Sequence, residues 1–165
     1  MYDEYDLICI LGPTASGKTR YAVELARTIG GEILSGDSRQ VYRGMDIGTG
    51  KDLEEYGDVP YHLIDIVDAG TKYNIYQYQH DFENAYQDVL GRGRRPVLCG
   101  GSGLYIEAAT CGYYLPDVPA DQALREELWK FLKKNIRHLR IVLRSKAGFA
   151  AEQTAHVNVR AVRKA

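Results

Sequence analysis

The octapeptide Gly12-Pro13-Thr14-Ala15-Ser16-Gly17-Lys18-Thr19 constrains the fold more than any other stretch of the chain. It fits G-x-x-x-x-G-K-[ST] without a mismatch, a pattern that composition alone would produce in under about one per cent of chains this size. Before it runs the apolar segment Leu7-Ile8-Cys9-Ile10-Leu11, which reads as a buried parallel strand. After it, Tyr21, Ala22, Leu25, Ala26 and Ile29 fall on one helical face, closed by Gly30-Gly31. In such a strand–loop–helix unit the glycines let backbone N–H groups wrap a diphosphate, and the helix N-terminus adds partial positive charge. Lys18 would reach the outer phosphate, and the Thr19 hydroxyl would ligate Mg2+. Gly12 to Thr19 are therefore the candidate diphosphate-binding residues. The loop reads a diphosphate and not what is attached to it, so ATP, GTP and a prenyl diphosphate all remain open.

The rest of the first 112 residues keeps the same alternation. Glu32–Ser35, Tyr61–Val67 and Pro96–Cys99 read as further strands. Asn74 can cap a helix with Gln77 three residues on, and Ile75, Tyr78, Phe82, Ala85, Tyr86 and Val89 line its apolar face. This pattern predicts an α/β fold with a parallel sheet covered by helices. Beyond Gly112 the character changes. Pro116 and Pro119 mark a connection, and Asp121 can cap a helix with Leu124, Leu128, Phe131 and Leu132 as its apolar stripe. From Lys130 to Lys146 the pattern stays helical and becomes basic, and the segment ending at Ala165 reads as mid-helix. The expected organisation is a core over residues 1–112 and a short basic helical segment over 113–165.

The formal net charge of −1 conceals a division. Residues 1–90 sum to −9 and residues 91–165 to +8, and the stretch from Lys130 onward carries 10 basic side chains against Glu152 alone. That asymmetry points to a polyanionic partner, with a solvated helical face as the plainer explanation. Hydrophobic residues at 45% exclude wholesale disorder. Cys9, Cys99 and Cys111 form no C-x-x-C pair, which speaks against a disulfide framework or zinc site, and Cys9 and Cys99 read as buried small hydrophobes. The acidic start is wrong for a targeting peptide, and no apolar run approaches the ~20 residues of a membrane span. The expectation is a cytoplasmic protein without membrane attachment; the sequence leaves the oligomeric state open, with a monomer favoured.

Four further groups carry candidate chemistry, three of them where strands end. Ser35-Gly36-Asp37-Ser38-Arg39-Gln40 follows the second strand, at the sheet edge where the octapeptide also lies. Asp37 there could hold metal-bound water or take a proton from a nucleophile, or simply form an Asx turn. Gly100-Gly101-Ser102-Gly103 follows the last strand and opens a helix. Met45 to Lys51 is a loop whose Lys51 could bind an anion, and Asp65 and Asp68 resemble a strand-end Walker B pair or a solvated strand end.

Taken together, GPTASGKT at 12–19, SGDSRQVYRGMDIGTGK at 35–51, YHLIDIVD at 61–68 and RPVLCGGSGLYIEA at 95–108 resemble the tRNA dimethylallyltransferase (isopentenyltransferase) family. The resemblance covers about residues 7 to 128 and implies a P-loop NTPase-like three-layer fold. It implies transfer of a dimethylallyl group from dimethylallyl diphosphate to N6 of an adenosine beside the tRNA anticodon. The P-loop would then hold the prenyl diphosphate with Mg2+, and Lys18, Thr19 and Asp37 would be catalytic, Asp37 as the proton acceptor. By the same resemblance Asp37, Ser38, Arg39 and Gln40 contact the target nucleoside, Ser102 lies near it, and Arg125 contacts tRNA. Ser102 stands where the family usually has Thr, and Gly50 replaces a common Ala. The tail HVNVRAVRKA resembles a later family helix, with Arg160 and Arg163 in register, and what the family places beyond it is absent, as in a fragment or a shortened member. A variant acting on free AMP, ADP or ATP, a P-loop small-molecule kinase, and an inactive diphosphate-binding remnant are the alternative readings.

Overall fold

A computed structural model describes residues 5–113, 121–131, 133 and 158–162. Strands β1 (Leu7–Leu11), β2 (Gly31–Ser35), β3 (Tyr61–His62), β4 (Arg95–Gly100) and β5 (Asn158–Val162) form one sheet in the order β3-β2-β4-β1-β5. The first four pair in parallel, and β5 runs antiparallel to β1. Helices α1 (Lys18–Ile29) and α2 (Ile75–Gly91) lie in the β1–β2 and β3–β4 crossovers, and α3 (Gly103–Cys111) follows β4. This is the expected α/β fold with a parallel sheet between helical layers.

The near-continuous apolar strands are explained by burial on both faces. Leu7, Cys9, Leu34 and Leu98 pack with Tyr78, Phe82, Tyr86, Val89, Tyr105 and Ile106. On the other face Ile10, Ile33, Val97 and Cys99 pack with Ala22, Val23 and Ala26 of α1 and with Tyr56. Neighbouring residues thus alternate between two cores, as the two-residue strand period requires. The N-terminus of α2 carries the full capping box between Asn74 and Gln77. Gly30 closes α1 in the left-handed region at φ 66, returning its N–H to Ala26 O.

Two sequence expectations are corrected. The third strand stops at His62 rather than Val67 because Leu63 and Asp65 take positive φ, 65° and 55°. The chain then resumes pairing one step away: Asp65 N–H donates to Gln40 O at 3.0 Å and Ile66 N–H to Val41 O at 2.9 Å. The tail at Asn158–Val162 is a strand and not part of a helix. The unpaired outer edge of β1 offers it backbone partners, and its valines suit extended backbone.

The chain divides into one unit of Met1–Leu115 with Ala155–Ala165 and a second of Pro116–Thr154. Within the second, residues 122–131 are helical, and Asp121 Oδ1 accepts the Leu124 N–H at 2.9 Å, as its sequence position suggested. Leu124 and Leu128 are about half exposed. The basic stretch from 134 to 146 lies outside the described residues, as does Leu132. Among the described residues no helix is long and apolar enough to cross a membrane.

Candidate active site

The P-loop joins β1 to α1. Gly17, the N-cap of α1, sits at φ 77, a conformation that glycine adopts without a Cβ penalty. No side chain caps this helix, and its first turn carries no acid. Its leading N–H groups therefore have no intrahelical or capping partner and face the loop with the positive end of the helix dipole. Lys18 Nζ donates back across the loop to Pro13 O at 3.0 Å. Ser16 Oγ is buried and, among the described residues, has no hydrogen-bond partner. A buried hydroxyl in that state is satisfied when an oxygen-rich ligand fills the loop.

The second wall comes from the ends of β2 and β4, which approach so closely that a side chain at position 100 has no room. A Cβ on Gly100 would lie 2.4 Å from the Gly36 carbonyl carbon. Gly36 N–H donates to Cys99 O at 2.8 Å, and Ser102 N–H to Gly36 O at 3.2 Å. This seam carries the 37–40 turn to the P-loop's edge of the sheet. Asp37 Oδ1 accepts the Arg39 N–H at 2.9 Å, so the Asx turn considered from sequence is present. The turn leaves the second oxygen available, because among the described residues Oδ2 has no hydrogen-bond partner. Below the turn, Ser35 Oγ donates to Gln40 Oε1 at 3.0 Å, and Tyr78 Oη donates to Ser35 O at 3.1 Å. Ser38 N–H donates to Ser102 Oγ at 2.9 Å, and the Ser102 hydroxyl donates to Ser38 Oγ at 3.1 Å.

Between these walls lies a cleft of about 280 Å³ lined by Thr14 to Thr19, Asp37, Gln40, Thr49, Gly50, Glu55, Tyr56, Cys99 and Gly100. It gathers most of the loop with Asp37 and Gln40. Gly12, Pro13, Ser38, Arg39 and Ser102 are not among its lining residues: Ser38 and Ser102 brace the turn from behind, and Arg39 is exposed. Arg125 lies in the second unit, exposed.

Sequence reasoning missed Thr49, Glu55, Tyr56 and Cys99 as cleft residues. Glu55 and Tyr56 come from a 3-10 turn at Leu53–Tyr56, whose side chains carry no recognisable motif. Tyr56 is 3% exposed, and burial, with Cys99 and Glu55 nearby, raises its hydroxyl pKa well above the ordinary value. Burial pushes the Cys99 thiol up to about 12, with the Lys18 ammonium and a hydrogen bond from Thr19 acting in the opposite direction. Lys51, read as a possible anion ligand, is corrected. Its ammonium is committed to Tyr42 O at 2.8 Å, Asp46 Oδ1 at 3.0 Å and Asp65 Oδ1 at 2.5 Å. Asp65 and Asp68 are likewise not metal-facing strand-end acids, because Asp68 pairs with Arg43 at 2.9 Å.

The donor set fits Mg2+. Thr19 offers a hydroxyl, Asp37 and Glu55 line the same cleft with carboxylates, and hard oxygen donors are what this ion takes beside phosphate oxygens. Thr19 would hold the ion directly.

Residues 40–165 match the family described as IPP transferase, and residues 5–57 match Isopentenyl transferase. The chain is 60% identical over 127 residues to tRNA dimethylallyltransferase 1 of Geotalea daltonii, covering 77% of this chain and 41% of that protein. It is 61% identical over 126 residues to tRNA dimethylallyltransferase 1 of Porphyromonas gingivalis, covering 74% and 42%. Its fold is similar to that of the full-length tRNA isopentenylpyrophosphate transferase of Bacillus halodurans, with TM-score 0.66, 42% identity, and coverage of 90% of this chain and 50% of that one. A eukaryotic dimethylallyltransferase acting on tRNA gives TM-score 0.64 at 27% identity, over 71% and 30%. The chain thus spans half or less of the length of these relatives. Because the match over residues 40–165 spans well over half of the chain, the chain belongs to the IPP transferase family.

Proposed function

We propose that this chain carries the catalytic core of a transferase that moves a dimethylallyl group from dimethylallyl diphosphate to N6 of the adenosine beside the anticodon in tRNA. The observation that carries the reading is one cleft holding both a diphosphate loop and, beside it, the Asp37 carboxylate. A diphosphate seated on the amides of 14–19 places its leaving oxygen within the field of Lys18 and the α1 dipole. The adenine N6 attacks C1 of the dimethylallyl group, the C1–O bond breaks, and pyrophosphate leaves with the bonding electron pair. Asp37 Oδ2 takes the proton that N6 loses, while the Arg39 amide holds Oδ1 and fixes the direction of the carboxylate. Mg2+, when bound, supplies charge neutralisation for the departing pyrophosphate. The adenine reaches this cleft only out of its stack, which an unpaired anticodon loop permits at low cost.

Single-turnover transfer with stoichiometric protein tests the reading, using dimethylallyl diphosphate and, in parallel, tRNA, AMP and ATP. Prenylated tRNA is the expected product. Product on AMP alone replaces tRNA with a free nucleotide, and phosphoryl transfer from ATP indifferent to the prenyl donor replaces the reaction class. Diphosphate binding without any product supports a remnant.

A further inference from the structure

Between Tyr42 and Lys51 the chain leaves the sheet edge in a loop with three glycines at positive φ, Gly44, Gly48 and Gly50. Backbone of this kind holds no conformation by itself. Its base, however, is fastened. The Lys51 side chain is 0% exposed, and its three donors meet one acceptor at the loop's start (Tyr42 O), one within it (Asp46) and one on the returning segment (Asp65). Desolvation of the ammonium works against its charge, and the Asp65 and Asp46 carboxylates outweigh it, so Lys51 stays a cation. Asp65 reaches the ammonium from its left-handed backbone, the conformation that also ends β3 early. The loop then turns inward: Thr49 Oγ1 donates to Met45 O at 2.6 Å, Gln40 Nε2 to Gly50 O at 3.1 Å, and Thr49 and Gly50 line the cleft.

We propose that Lys51 is a positioning residue, which meets no substrate and fixes Thr49 and Gly50 as the cleft wall beside Asp37. The transfer reading above enters only in calling that wall the acceptor's side. A buried charge with every donor used is costly to assemble and rigid once assembled. It gives a glycine-rich loop one geometry, and misplacement of a reacting group by about 1 Å is enough to slow a positioned reaction about a hundredfold.

The test compares the wild-type chain with Lys51→Met and with the double variant Lys51→Met/Asp65→Asn, which leaves no unpaired, partly buried carboxylate at position 65. Three readouts are taken: amide exchange over residues 43–50, binding of Mg-pyrophosphate, and single-turnover transfer to an anticodon-arm RNA. Expected in both variants are exchange over 43–50 faster by about tenfold or more, pyrophosphate affinity within about threefold of wild type, and transfer slowed about ten- to hundredfold. Unchanged exchange in the double variant overturns the proposal, as does pyrophosphate binding that falls in step with transfer. If the wild-type chain binds pyrophosphate and transfers nothing to RNA, the tRNA reading fails, and exchange with pyrophosphate binding still decides the role of Lys51.

Discussion

The cleft end of the sheet, where β1, β2 and β4 finish, and its opposite end, where β2 and β4 begin, handle polar groups in contrasting ways. At the cleft, among the described residues, α1 starts without a side-chain cap, Ser16 Oγ is buried with no partner, and one oxygen of Asp37 has no hydrogen bond. At the far end Glu32, 4% exposed, is met by His62 Nε2 at 2.7 Å and Arg92 at 2.6 Å, and Arg92 also pairs with Asp88. One end keeps unmatched hydrogen-bonding capacity where a ligand can use it, and the other spends its capacity within the fold. The contrast separates residues whose loss changes binding and chemistry from residues whose loss changes stability.

Asp37→Ala tests the cleft end most severely. Single-turnover transfer is expected to fall by about 10²–10⁴, the usual worth of a positioned general base, with Mg-pyrophosphate affinity nearly unchanged by calorimetry. A near-normal rate removes the proton-acceptor assignment. Lys18→Ala is expected to weaken Mg-pyrophosphate binding by about ten- to hundredfold, the loss of one charge-assisted hydrogen bond. Unchanged binding puts the diphosphate elsewhere.

At the far end, Glu32→Gln is expected to cost about 1–3 kcal/mol of stability at pH 7 and to leave pyrophosphate binding intact. Its pH dependence has a definite sign. Burial alone raises a carboxyl, but the hydrogen bonds from Arg92 and His62 outweigh it and hold Glu32 below the ordinary range. Its stabilisation is therefore present above the unfolded value of about 4.3 and is lost as pH falls through the lower folded value. Urea unfolding from pH 7 down to 3 is expected to show a shallower acid decline in the variant, and identical slopes contradict the assignment. The smallest effect is expected at Ser102, which touches the turn and not the cleft. Ser102→Ala, which removes both hydrogen bonds to Ser38, should slow transfer about two- to tenfold, the range of neutral hydrogen bonds, and Ser102→Thr, which keeps the hydroxyl, should not. Equal losses in both would make bulk, not the hydroxyl, the property that matters.

Local chemistry was the part legible in the sequence. The P-loop spacing, the Gly30 stop, the Asn74–Gln77 capping box and the Asp121 cap each depend on residues within a turn of one another, and each stands where the pattern put it. Asp37 was legible because parallel strands place successive loops at one edge. What escaped depends on distant partners. Lys51 looked free because Asp65 is far from it in sequence, and the strand through Val67 breaks where Asp65 turns to meet that ammonium. Glu55 and Tyr56 reach the cleft only because the core beside α1 draws their 3-10 turn against the sheet. The β-pairing of Asn158–Val162 needs an edge of β1 that its own helical-looking residues do not advertise.

The contact between Gly36 and Gly100 bears on how the site can move. Where side chains separate two segments, they rotate and absorb small displacements. Here backbone lies on backbone, in the gap where even a Cβ would come within 2.4 Å. The seam behaves mechanically as a stop: the turn bearing Asp37 cannot settle closer to β4. It can only lift away, so closure of this cleft around a ligand falls to other parts of its lining, the P-loop first among them.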